Sequence, residues 1–157
     1  DYPIETVESM SEVCSGAELY EESISKSDTF KFSELQRVDE AIAVSSIRIA
    51  RNMNIKAIVA LTESGSTALM MSRIRSDIPI YAFTRNEYTQ RRVGLYRGVM
   101  SYPYKFKATN FSEVLSEVSK ELLESEMVGI GDLIIITSGY PLKVEGFTNS
   151  LRIVEIK

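Results

Sequence analysis

The sequence predicts an α/β fold: three layers, α/β/α, around a five-stranded mixed sheet whose last strand runs antiparallel. Three observations predict it. Short apolar runs at 57–61, 79–83, 98–102 and 133–137 alternate with segments of helical period, the pattern of βαβ units and a parallel sheet. The runs at 57–61 and 79–83 are continuous rather than alternating, as strands covered on both faces require. The link from 138 to 149 holds Gly139, Pro141 and Gly146 without a helical period, so the strand after it, 150–156, should pair antiparallel as an edge.

In chain order, Ile4, Val7, Met10, Val13, Cys14 and Ala17 recur at helical spacing and predict a helix over 4–22. The stretch 23–32 is polar. Ser33, with Gln36 three residues on, can cap a second helix whose apolar face is Val38, Ala41, Ile42, Ser45, Ile49 and Met53. The first strand then leaves through a polar loop, 62–67, into a helix over 68–75. Pro79 opens the second strand, where proline is tolerated. Helices follow over 87–93 and 111–126. The chain reads as one domain, 1–157, with 1–33 as helix and linker and 34–157 as the α/β core.

Composition excludes several function classes. A chain of 157 residues, 44% apolar, can bury a core of its own. Its 18 basic and 22 acidic residues leave a net charge of −4, against a general nucleic-acid binder. Charge is uneven: residues 1–40 hold eleven acids, while Arg73, Arg75, Arg85, Arg91, Arg92, Arg97, Lys105 and Lys107 face only Asp77 and Glu87 between 73 and 107. One local surface can therefore attract small anions. With one cysteine no internal disulfide forms, and the composition suits a reducing cytosol. Cys14, in the helical stripe, is expected to be a buried inert thiol. No apolar run has the length of a membrane span. The chain opens on Asp1-Tyr2-Pro3, with neither Met nor a basic leader, and is expected to be a piece of a longer chain.

No catalytic constellation stands out: there is no histidine, Cys14 is isolated, and no metal-ligand cluster is visible. The informative segment is Leu61-Thr62-Glu63-Ser64-Gly65-Ser66-Thr67-Ala68. Four hydroxyls and a glycine stand where a buried strand enters a helix, whose first amides are unpaired and partly positive. Such a turn can cradle a phosphate, or it can simply cap the helix. Arg85, at the end of the second strand, is placed to meet an anion or to be an ordinary surface arginine. The loop 138–148 leaves another strand end and can close over the same crevice, with Lys143 as a charge and Gly139 and Gly146 as hinges; a plain long hairpin is the alternative.

The 61–68 segment, Thr84-Arg85-Asn86, Leu95-Tyr96-Arg97-Gly98, Gly131-Asp132 and Gly146-Phe147-Thr148-Asn149, in that order, resemble the C-terminal regulatory domain of the pyruvate kinase family. The opening Tyr2-Pro3-Ile4-Glu5-Thr6-Val7 resembles the stretch where that enzyme's catalytic barrel hands over to the domain. The resemblance implies a five-stranded mixed sheet with helices on both sides. It implies a parent enzyme that transfers a phosphoryl group from phosphoenolpyruvate to ADP with Mg²⁺ and K⁺, all in a barrel this chain lacks. This fragment should then hold no catalytic residue, metal or cofactor and should not be a kinase alone. The resemblance further places effector phosphate contacts on Thr62, Ser64, Gly65, Ser66 and Thr67, and implies a cytoplasmic homotetramer with contacts between C domains near the last strand and the 38–53 helix. Some members that bind fructose 1,6-bisphosphate carry Lys where Glu63 stands, and others carry Arg or Lys at Ser66. The sign here favours AMP or a sugar monophosphate over the bisphosphate, or loss of regulation. A ligand-free oligomerisation module and a free-standing phosphate-binding protein on the same fold are the other readings.

Overall fold

The fold is that of a computed structural model, which describes residues 2–24, 36–74, 76–103, 110–140 and 147–157, with side chains for all but 21–24. Ser33, Arg75, Lys105, Lys107, Lys143 and Gly146 lie outside them. The chain divides into two compact units, Asp1–Lys31 and Phe32–Lys157.

The first unit holds α1 (Pro3–Ile24). Cys14, expected to be buried, is exposed. Ile4, Val7, Met10 and Val13 are 62–73% exposed, so the period makes the helix but no described residue of this unit covers the stripe.

The second unit runs α2 (Val38–Asn52), β1 (Ile55–Leu61), α3 (Ser66–Arg73), β2 (Ile80–Thr84), α4 (Glu87–Val93), β3 (Val99–Pro103), α5 (Phe111–Glu124), β4 (Leu133–Ser138) and β5 (Ser150–Glu155). The sheet order is β3-β2-β1-β4-β5. β1 pairs in parallel with β2 and β4, with Ile58 opposite both Ile80 and Ile135, and β2 pairs in parallel with β3. β5 runs antiparallel to β4, as the helix-free link requires.

The side-chain period of two divides the strands between two cores. On one face Ile58, Ala60, Ile80, Ala82 and Ile135 meet Ala43, Ile47 and Ala50 of α2, Ala68 and Met71 of α3, and Val93 of α4. On the other, Val59, Tyr81, Phe83, Ile134 and Ile136 meet Val114, Val118 and Leu122 of α5. This is the expected three-layer α/β/α arrangement. Each fully buried Ile or Leu contributes about 1.5–3 kcal/mol relative to exposure.

The buried face of α2 differs from the expected one. Asp39, Ala43, Val44, Ser46, Ile47 and Ala50 are buried, whereas Val38 and Met53 are 52% and 43% exposed. Apolar residues on two adjoining stripes leave the period ambiguous by one position. Small residues break the tie by allowing close approach, and the Ser46 hydroxyl is satisfied by the Ile42 carbonyl at 2.7 Å. Asp39 is reached by Arg37 Nε and Nη2 at 3.0 and 2.5 Å.

Candidate effector site

The strand order reverses at β1: the chain turns to β2 on one side, while β4 lies on the other. Loops leaving the carboxyl ends of such strands flank a crevice where open α/β sheets take ligands. Here the described residues of those loops are 62–65, after β1, and 139–140, after β4.

The first loop is built from its own residues. Thr62 N–H extends the ladder to the Phe83 carbonyl at 3.0 Å. The Thr62 hydroxyl turns inward and accepts from Gly65 N–H at 2.8 Å. Gly65 is the N-cap of α3 in left-handed conformation, φ 77° and ψ 2°, with no side-chain cap. A Cβ there would meet Val93 Cγ1 at 2.7 Å and Thr89 Cγ2 at 3.3 Å. Ser64 Oγ donates to Ser66 Oγ at 3.3 Å and accepts from Ser66 N–H at 3.4 Å. Thr62, Gly65 and Thr67 are buried, Glu63 and Ser66 half-buried, and Ser64 exposed.

Two other elements hold this turn. From α4, Thr89 Oγ1 donates to the Glu63 carbonyl at 2.8 Å, and the Arg92 guanidinium donates to the Ser64 carbonyl. From the segment before β5, the buried Thr148 hydroxyl meets the Thr67 hydroxyl at 2.6 Å. Asn149 fixes the base of that segment: its side chain accepts from Tyr140 N–H at 2.7 Å and donates to the Tyr140 carbonyl at 2.8 Å.

The fold thus gathers Thr62, Ser64, Gly65, Ser66 and Thr67 in one turn. Leu61 pairs with Phe83, so the exposed Arg85 leaves β2 at the same end of the sheet. Asn86 caps α4 after it, accepting from Tyr88 and Thr89 N–H at 2.9 and 3.2 Å. Sequence reasoning missed Thr89, Arg92 and Thr148 as site residues. Arg92 was visible only as one base in a basic stretch, and Thr148 only inside the Gly-Phe-Thr-Asn motif.

Chemically, the turn offers hydroxyls and the first amides of a helix to a small anion. Some of that capacity is spent internally, on the Gly65 amide and the Thr67 hydroxyl. Among the described residues no three His, Cys, Asp or Glu group as a metal site, and no helix is long and apolar enough to cross a membrane.

A doubly wound sheet with a hydroxyl-rich turn at its switch point defines a class: α/β domains that hold ligands beyond the carboxyl ends of parallel strands. The chain belongs to the family described as pyruvate kinase, alpha/beta domain, which matches residues 40–154. It is 38% identical over 157 residues to a pyruvate kinase of Buchnera aphidicola subsp. Acyrthosiphon pisum, covering 99% of this chain and 32% of that protein. It is 39% identical over 158 residues to pyruvate kinase II of Salmonella typhimurium, with the same two coverages. Among solved structures, a pyruvate kinase from Cryptosporidium parvum superposes with a TM-score of 0.69 at 28% identity, covering 79% of this chain and 24% of that one. The chain therefore spans about a third of the length of the curated relatives it matches.

Proposed function

We propose that this chain is the effector-binding and oligomerisation domain of a cytoplasmic pyruvate kinase, and that residues 62–67 take the phosphoryl group of a small metabolite. One observation carries the reading. A turn of four hydroxyl residues with a left-handed glycine stands at the carboxyl end of the central strand and opens a helix. Phosphate oxygens suit such a place, because hydroxyls and unpaired amides both donate to them.

AMP or a sugar monophosphate is favoured over fructose 1,6-bisphosphate. The half-buried Glu63 sits in the turn, and a second phosphate meeting its carboxylate costs on the order of 1 kcal/mol. Phosphoenolpyruvate, ADP, Mg²⁺ and K⁺ belong to the catalytic barrel of the longer protein. The edge strand β5, with Ile153 41% exposed, and the outer side of α2 are the candidate contacts within a homotetramer.

Thermal denaturation with ribose 5-phosphate, glucose 6-phosphate and AMP tests the reading. Saturation at a hundred times the dissociation constant adds about 2.7 kcal/mol. Ser64→Ala with Thr67→Ala should abolish the shift. No shift from any phosphorylated metabolite at millimolar concentration ends effector binding by this chain.

A second reading, a ligand-free oligomerisation module, draws support from Glu63 and from the internal pairing of the turn. A stable dimer in sedimentation, unchanged by metabolites, favours it.

A further inference from the structure

The turn 62–67 is held from α4 in a way that sets the direction of its amides. A trans peptide points its N–H and C=O in opposite directions. The Glu63 carbonyl is drawn to Thr89 Oγ1 at 2.8 Å, and the next carbonyl, Ser64, is drawn to the Arg92 guanidinium. Both partners stand on α4, one helical turn apart. The N–H groups of the same two peptides, Ser64 and Gly65, are therefore turned away from α4. The Gly65 amide confirms this direction by meeting Thr62 Oγ1. Gly65 completes the seat: bare of Cβ, it lies against the side chains of Val93 and Thr89, with Arg92 Nη2 3.7 Å from where a Cβ would stand. Successive amides turned to one side, next to a left-handed residue, form an anion-binding concavity.

We propose that Arg92 is the positioning residue of this turn: its guanidinium, by gripping the Ser64 carbonyl, locks the Ser64–Gly65 peptide, whose amide is held by Thr62 Oγ1, and so keeps the neighbouring Ser64 amide turned to receive a phosphoryl group. The inference rests on the reading of 62–67 as the phosphate cradle. Arg92 acts through the backbone rather than by touching the ligand. The guanidinium lies 5.7 Å from the centre of the Tyr88 ring, a second contact that keeps it at the turn.

The test uses the 157-residue chain and three variants: Arg92→Leu, which keeps the apolar stem, Arg92→Lys, which restores a cationic donor, and Arg92→Gln, which keeps a neutral donor. Two quantities are read: the dissociation constants for inorganic phosphate and ribose 5-phosphate by calorimetry, and amide hydrogen exchange at Ser64 and Gly65 by NMR. Loss of a charge-assisted bond at an exposed site predicts about tenfold weaker binding for the leucine variant. Exchange at both amides should rise by a similar factor, with little change in melting temperature because Arg92 is exposed. Lysine should recover most of both, and glutamine, a shorter neutral donor, only a part of both. Unchanged binding and exchange in Arg92→Leu overturn the proposal, as does weakened binding with unchanged exchange, which would make Arg92 a direct contact. If the unaltered chain binds neither probe, the cradle reading fails by itself; exchange at Ser64 and Gly65 still decides, upholding the grip of Arg92 if it rises in the leucine variant and overturning it if it does not. Should the leucine variant fail to fold, the glutamine variant decides: weaker binding together with faster exchange in folded protein upholds the grip, and native binding, or weaker binding with native exchange, overturns it.

Discussion

The hydroxyls of Thr67 and Thr148 lie 2.6 Å apart across 81 residues of chain, both buried, one at the start of α3 and one just before β5. This bond ties the loops that flank the switch point, and each hydroxyl is the other's partner. Thr148→Val should leave the Thr67 hydroxyl unsatisfied and cost about 1–3 kcal/mol, measured by urea denaturation. Adding Thr67→Val should cost clearly less than the sum of the singles. Strict additivity would show that the two hydroxyls are satisfied independently.

Gly65→Ala should be among the more damaging changes in the turn. At φ 77° an alanine is strained, and its Cβ would press on Val93 Cγ1 at 2.7 Å. Backbone strain costs about 1–3 kcal/mol, and the overlap adds to it. Val93→Ala on that background should relieve the overlap and leave the strain. Melting temperatures of the two single variants and the double check the division, and no relief in the double would show that strain alone is responsible.

Glu63 is expected to set which phosphate compounds are taken. Glu63→Gln removes the opposing charge and should tighten binding of fructose 1,6-bisphosphate by about fivefold, the equivalent of about 1 kcal/mol. Ribose 5-phosphate should gain less. Equal gains, read by calorimetry, would show that the carboxylate acts on the first phosphate rather than discriminating against a second.

Tyr81 should make the fold sensitive to alkali. Burial, and secondarily the charge of a neighbouring Tyr102, raise its phenol above the ordinary value of 10.0. The rings meet edge to face at 5.8 Å. The folded state holds this proton more tightly than the unfolded chain, so the unfolded state releases it first. The contribution is intact below pH 10 and is lost as pH rises through the folded value. Urea midpoints should fall above pH 10, and less steeply for Tyr81→Phe. Identical slopes would mean that another group governs the alkaline limb.

Much of the fold was legible because near-continuous apolar runs have few other uses. β1 to β4 lie within two residues of the runs that predicted them, and the antiparallel β5 followed from a link without a helix. Burial was less legible. Period alone made α1 a helix but could not say what covers it, so Cys14 was misplaced. In α2 two adjoining stripes were nearly equal, and the close fit of Ala43, Ser46 and Ala50 chose between them. The turn at 62–67 was legible as hydroxyls and a glycine, whereas its anchors were not. Thr89 and Arg92 lie 26 and 28 residues from the carbonyls they hold.

The sequence by itself determined the order of strands and helices, the antiparallel last strand and the place of the hydroxyl-rich turn. These depend on local period, chain connectivity and the unpaired amides that begin every helix. Only the tertiary structure decided which residues hold that turn and which groups it has already satisfied. Hydrogen bonds between Arg92 and Ser64, or Thr148 and Thr67, exist because the parallel sheet brings distant segments to one end, and no spacing along the chain encodes a distance across it.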